Sequence, residues 1–258
     1  MQLPAVPKAV LIDLAGVLYV GEEAVPGAAA ALDRLRTRGL ALRFLTNTTR
    51  SPRSAVVARL QRLGFDIAAH EIHTAVLATR EVVAHRGLHP HYLVHPDIAA
   101  EVGPSHATPD AVVVGDAGAH FTFERLNAAF RLLMEGLPLI AMARNRYFRE
   151  ADGLTLDVGA FICALEYAAG VRAEVIGKPA SPFFLAALDA LGVPPATAVL
   201  IGDDLHDDIG GAQRAGIPAI LVRTGKYRTA DEADPAVRPA HVADDFAAAV
   251  AAILGAAT

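Results

Sequence analysis

Lys8-Ala9-Val10-Leu11-Ile12-Asp13 is the stretch that decides the fold. It is a short, unbroken apolar run that ends on an acid. A strand with one wet face alternates apolar and polar residues. A run without alternation is buried on both faces, as the central strand of a parallel sheet is. Outward from it, Pro26-Gly27 open a helical segment through Leu35 that stops near Gly39. Leu40 to Leu45 is a second apolar strand, ending in Thr46-Asn47-Thr48. Ser51-Pro52 supply an N-cap and first-turn pair for a helix reaching Leu63, with Gly64 as its stop. Strand, helix, strand, helix in this order calls for a parallel sheet with right-handed crossovers.

The same pattern returns later in the chain. Glu174-Val175-Ile176-Gly177-Lys178-Pro179 resumes it, Ala198-Val199-Leu200-Ile201-Gly202-Asp203 is another strand ending in an acid, and Ala219 to Val222 is a further strand. Between them, from about Thr74 to Ala173, lie separate strands at Ala111 to Val114 and Leu139 to Ala141 and a helix from Thr122 to Glu135. The expected fold is therefore α/β: a Rossmann-like parallel-sheet core with an inserted smaller α/β cap domain. The core takes residues 1–77 and 174–258, and the cap takes 78–173. A chain of 258 residues is long enough for both.

Composition narrows the partners. With 23 Lys and Arg against 28 Asp and Glu the formal net charge is −5, so no overall counterion-release term favours nucleic acid. The single cysteine, Cys163, cannot close an intrachain disulfide, and its apolar neighbours predict a buried structural thiol. The apolar N-terminus is interrupted by Asp13 and preceded by no basic region, against a secretory signal. The stretch from Phe246 to Ala257 is too short to span a bilayer and reads as a closing helix. A cytoplasmic protein with no membrane partner is expected.

Ligands of parallel sheets bind at the carboxyl ends of the strands. Four strand ends here carry polar groups: Asp13, Thr46-Asn47, Lys178, and the cluster Asp203-Asp204 with Asp207-Asp208. Together they offer a nucleophilic carboxylate, hydroxyl and amide donors, a compact cation and an oxygen-rich cluster. Phosphoryl transfer needs those parts, because it runs on positioning and charge neutralisation. A hard oxygen cluster of this kind selects Mg²⁺. Each piece alone has an ordinary reading: a turn-capping carboxylate, a solvated loop lysine, a pair of turn formers, first-turn acids favoured by a helix dipole. The ordinary readings fail together, because all four pieces recur at strand ends, and four acids in six residues repel one another unless a cation neutralises them.

In this order the motifs resemble the haloacid dehalogenase superfamily. Asp13-Leu14-Ala15-Gly16-Val17 is similar to its first motif, Thr46-Asn47 to its second, Gly177-Lys178-Pro179 to its third, and Gly202-Asp203-Asp204 with Asp208 to its fourth. Five stretches are similar to a narrower group of its phosphatases, which act on phosphorus–nitrogen bonds and pyrophosphate. They are Gln61 to Ile67, Leu156 to Gly159, Ala164 to Ala168, Gly210 to Arg214, and Val222-Arg223-Thr224-Gly225-Lys226. The resemblance implies that Asp13 becomes an aspartyl phosphate and that Asp13, the Ala15 carbonyl and Asp203 hold Mg²⁺. It also implies that Thr46, Asn47 and Lys178 grip phosphoryl oxygens, and that Asp208 orients its neighbours. The substrate would be a small phosphorylated molecule or a phosphorylated protein side chain, and the enzyme a homodimer.

One position departs from the superfamily. Most of its phosphatases carry a second Asp two residues after the nucleophile, to protonate the leaving group; here Ala15 stands there. Loss of a positioned acid–base group costs about 10² to 10⁴ in rate, or roughly 3 to 5 kcal/mol of barrier. A basic alkoxide leaving group suffers most. A phosphate anion, or a nitrogen that already carries its proton, suffers least. Ala15 therefore favours phosphoramidates and anhydrides over ordinary esters. Small phosphate esters, or a phosphate-binding module that has lost catalysis, are the competing readings. His206 in the fourth-motif loop could activate water but reads first as a solvated loop residue. His85, His89, His91 and His95 read as polar cap surface. Arg144, with Asn145 and Arg146, is expected in a cap loop reaching the substrate's second charged group. No nucleophile elbow, Walker loop or dinucleotide fingerprint is present in the sequence.

Overall fold

The computed structural model of the chain describes residues 1–150 and 153–255. From the N-terminus run β1 (Ala9–Asp13), the short pair β2 (Tyr19–Val20) and β3 (Glu23–Ala24), α1 (Ala28–Thr37), β4 (Ala41–Thr46), α2 (Arg53–Arg62) and β5 (Ile72–Thr74). Then come α3 (Ala75–Arg86), β6 (Pro90–Leu93), α4 (Ala99–Val102), β7 (Ala111–Val114), α5 (Phe123–Met134) and β8 (Leu139–Ala141). The hairpin β9 (Tyr147–Glu150) and β10 (Gly153–Leu156) leads to α6 (Val158–Ala169) and β11 (Glu174–Val175). The last stretch holds α7 (Ser181–Asp189), β12 (Ala198–Gly202), a π-helical turn (Leu205–Gly210), α8 (Gly211–Arg214), β13 (Ala219–Val222), β14 (His241–Ala243) and α9 (Phe246–Gly255). The closing helix was expected over Phe246 to Ala257, and residues 256 and 257 lie outside the described residues.

The chain divides into two compact units. The first comprises Met1–Thr46, Val57–His73 and Pro179–Thr258, and the second Asn47–Val56 and Thr74–Lys178. The first is built on a six-stranded sheet in the order β14-β13-β12-β1-β4-β5. β1 lies at its centre, parallel to β12 with Ala9 opposite Ala198, and parallel to β4 with Asp13 opposite Leu45. Every residue of β1 and of β12 is buried, which is why both read as unbroken apolar runs. α1 turns Ala28, Ala31, Leu32 and Leu35 inward and α9 turns Phe246, Ala249, Val250, Ile253 and Leu254 inward, and the two helices pack together. These are the i, i+3, i+4, i+7 spacings of one helical face.

The second unit is a smaller α/β layer on the parallel sheet β11-β8-β7-β6. Its core gathers Leu93, Val112, Val114, Leu133, Leu139, Val158, Ile162 and Leu165. Its helices are capped as the sequence asks: the Thr74 hydroxyl accepts Leu77 N–H at 3.0 Å at the start of α3, and Thr122 accepts Arg125 N–H at 3.4 Å at the start of α5. The α/β class and the parallel sheets stand as expected. Cys163 does not. It is exposed, because on α6 it sits about 100° round the helix from the buried Ile162. Arg144 Nη2 lies 3.6 Å from its Sγ.

Candidate active site

β1, β4 and β12 bring their carboxyl ends to one edge of the first unit's sheet. Asp13 ends β1, Thr46 ends β4, and Asp203 follows β12 directly. The chain then enters the π-helical turn, and that turn carries Asp208 back against the strand end. Gly202 permits the approach: a Cβ there would lie 2.4 Å from the Asp208 Cβ. Asp13, Asp203 and Asp208 are all buried, and one carboxylate oxygen of each lies within 4.8 Å of the other two. Among the described residues, no other cluster of His, Cys, Asp or Glu is so placed.

The electrostatics of this cluster are those of a cation site. Burial, followed by the charges of Asp13 and Asp208, pushes the Asp203 carboxyl well above its ordinary range. Three carboxylates crowded this way repel one another, and a positive charge among them offsets that repulsion. The donor set is oxygen only, as Mg²⁺ requires. These residues therefore fit a hard divalent cation.

Beside the cluster, Asp204 caps the π-helical turn, its Oδ1 accepting His206 N–H at 3.0 Å and Asp207 N–H at 2.9 Å. Its Oδ2 takes Lys226 Nζ at 3.2 Å. Burial alone would raise the Asp204 carboxyl. Lys226 and the two backbone donors outweigh that and hold it below the usual carboxylate range. Burial would likewise lower Lys226, but Asp204, Asp203, Asp207 and Asp208 keep it above the ordinary lysine value. His206 itself is exposed.

The loop after Asp13 is tight. Gly16 stands at φ +97, its N–H donates to Tyr19 O at 2.7 Å, and Ala15 bridges Tyr19. The Ala15 side chain carries no polar atom, so the position two after Asp13 has no acid to offer.

In the second unit Asn47 and Lys178 come together. The Asn47 carboxamide donates to Lys178 O at 2.9 Å and accepts Lys178 N–H at 2.8 Å. It also donates to Asn145 Oδ1 at 3.0 Å. The second and third motifs thus share one amide clamp, with Lys178 buried. Gly177 fits only without a side chain, since a Cβ would meet Asn47 Oδ1 and Met142 O at 2.6 Å each.

Arg144, expected in a cap loop near the substrate, is paired within the second unit. Its guanidinium forks onto the buried Glu166, at 3.0 Å and 2.6 Å. The same carboxylate accepts Ala173 N–H at 2.9 Å. Of the histidines, His89 pairs with Asp110 at 3.3 Å and His95 Nδ1 accepts Asp97 N–H at 3.2 Å. They belong to no metal cluster among the described residues.

Sequence reasoning gave Lys226 no role of its own, and it grouped Asn145 with Arg144 and Arg146 in a substrate-contacting cap loop and not with Asn47. Lys226 and Asn145 each lie far along the chain from what they bind. The one signal for Lys226 was its place in the Val222 to Lys226 stretch.

Comparison with known proteins gives consistent findings. The profile of haloacid dehalogenase-like hydrolases matches residues 10–103, and a second hydrolase profile of the same kind matches 175–249. The phospholysine phosphohistidine inorganic pyrophosphate phosphatase of Danio rerio is 45% identical over 254 residues, covering 96% of this chain and 94% of its own. Haloacid dehalogenase-like hydrolase domain-containing protein 2 of Homo sapiens is 48% identical over 229 residues, covering 87% of each. A 4-nitrophenylphosphatase from Thermotoga maritima superposes with a TM-score of 0.89 at 25% identity, over 96% of this chain and 98% of that one.

Proposed function

Because this chain belongs to the haloacid dehalogenase-like hydrolases and is a phosphatase of that superfamily, we propose that it cleaves phosphorus–nitrogen bonds, as in phospholysine, phosphohistidine and imidodiphosphate, and the anhydride bond of pyrophosphate. Asp13 is the nucleophile and Mg²⁺ the cofactor. The observation that carries this reading is the buried Asp13-Asp203-Asp208 cluster with Ala15, not an acid, two residues beyond the nucleophile.

A carboxylate oxygen of Asp13 attacks phosphorus. The bond from phosphorus to the bridging nitrogen or oxygen breaks, and its electron pair leaves with the departing amine or phosphate. Asp13 then carries the phosphoryl group as an acyl phosphate. Attack of water on that phosphorus releases orthophosphate and restores the carboxylate. Asp13, Asp203 and the Ala15 carbonyl would hold the cation, which when bound offsets negative charge developing on the phosphoryl oxygens. Thr46, Asn47 and Lys178 bind those oxygens, and the Asn47 clamp on the Lys178 backbone supports a fixed position for the lysine. Asp208 orients its neighbours in the cluster. The leaving group departs without a proton from position 15, which anhydrides and amine-protonated phosphoramidates tolerate.

The substrate is a small phosphorylated molecule or a phosphorylated protein side chain, met in the cytoplasm. Among the described residues no helix is long and apolar enough to cross a membrane. The reading includes a homodimer. A small-ester phosphatase is the second reading, favoured by the likeness to the Thermotoga 4-nitrophenylphosphatase. Phosphate release from imidodiphosphate beside a sugar phosphate, both with Mg²⁺ and with Asp13→Asn as the blank, separates the two. The first reading requires imidodiphosphate to be the faster substrate. Faster turnover of the sugar phosphate would hand the assignment to the ester reading.

A further inference from the structure

The turn that follows β13, Thr224-Gly225-Lys226, reaches back across the sheet edge to the loop after Asp13 and to Asp203. Three contacts join them. The Lys226 backbone N–H donates to Asp203 Oδ2 at 2.7 Å. The Thr224 hydroxyl donates to the Gly16 carbonyl. Gly225, at φ +60, lies so close that an added Cβ would stand 2.0 Å from Asp203 Oδ2 and 2.5 Å from the Gly16 Cα.

From the other side, a Cβ on Gly16 would also stand 2.0 Å from Asp203 Oδ2. That oxygen is thus walled by two glycines, both in the left-handed region, and capped by one backbone donor. Gly16 is pinned at both ends as well. Its N–H goes to Tyr19 O at 2.7 Å and its carbonyl to Thr224. The peptide plane that carries the Ala15 carbonyl is therefore held in one orientation.

We propose that Thr224, Gly225 and Lys226 form a positioning turn that sequesters Asp203 Oδ2, presents Asp203 Oδ1 to the divalent cation, and fixes the Ala15 carbonyl beside it. The proposal rests on the cation site of the preceding section and deepens it. The turn touches no substrate. It acts through a carboxylate and a carbonyl, whose orientation it removes from chance. Groups that orient a ligand from behind change metal affinity about 10- to 100-fold when lost.

The test is Mn²⁺ binding to the whole chain without substrate, followed by calorimetry and by the electron-spin resonance signal of the free ion. Five proteins are compared: wild type, Gly225→Ala, Thr224→Val, Thr224→Ser and Asp203→Asn. Gly225→Ala is expected to weaken binding by about tenfold or more, and Thr224→Val by several-fold. Thr224→Ser, which keeps the hydroxyl, should bind as wild type does. If Gly225→Ala fails to fold, the Val and Ser pair at Thr224 carries the test alone. Wild-type affinity in Thr224→Val and in any folded Gly225→Ala, with binding lost in Asp203→Asn, overturns the turn's role and leaves the cation site standing. Wild-type affinity in Asp203→Asn overturns both.

Discussion

His73 should make this protein acid-labile in a window set by its burial. His73 is the middle residue of β5, the edge strand of the six-stranded sheet, and is only 7% exposed. It lies 4.6 Å from the Phe183 ring, centroid to centroid, and its Nε2 is buried with no hydrogen-bond partner among the described residues. Burial, helped by the Arg43 guanidinium, pushes the imidazole from 6.5 down to about 4. The folded value is the depressed one, so the unfolded chain binds the proton first. Stability is then whole above about pH 6.5 and falls as pH drops toward 4. A separation of this size costs about 2 kcal/mol at pH 5 and about 3 kcal/mol at pH 4. His73→Leu removes the titration while keeping an apolar contact for Phe183. Urea unfolding of both proteins at pH 7, 5 and 4 isolates the term, because every other titrating group is common to them. The wild type should lose about 2 kcal/mol more than the variant between pH 7 and pH 5. Equal losses would refute the reasoning and place His73 in water or beside an acceptor.

Three further outcomes are expected. Asp13→Asn should lower turnover of imidodiphosphate on the order of 10⁶-fold, as removal of a nucleophile does, with the melting temperature held or raised; steady-state phosphate release and calorimetry check both. Ala15→Asp should raise sugar-phosphate turnover about 10²-fold relative to imidodiphosphate, by supplying the missing proton donor; the ratio of the two kcat/KM values reads it. Glu166→Ala should destabilise the second unit by about 2 kcal/mol, since it strands the Arg144 guanidinium and the Ala173 N–H; the urea midpoint reports it.

The strand ends were legible because burial on both faces leaves a mark that needs no neighbour to interpret. β1 and β12 are apolar at nearly every position, and the acid that stops each run stands where the sheet meets solvent-facing loops. Helix starts were legible at Thr122 for the same local reason, a hydroxyl able to take an N–H three residues on. What could not be read is what depends on distant partners. Thr224 finds Gly16 across more than two hundred residues, and nothing in either neighbourhood marks the other. Arg144 has Glu166 as its partner, one turn of α6 away from where apolar spacing draws the eye. Cys163 misled for a related reason: apolar neighbours in sequence say little about a helical residue, whose neighbours in space are three and four positions away.

The first unit is assembled from three separate pieces of chain, and β1 sits between partners of very different age. During synthesis β4 is available to it as soon as Thr46 emerges, but β12 is not made until Ala198. Through that interval the emerging chain carries a bare, fully apolar strand edge, which is the kind of surface that recruits neighbouring chains. Pairing so far apart in sequence also slows refolding. Recombinant yield should therefore depend on elongation rate and on chaperones that shield an open edge, more than on the stability of the finished molecule.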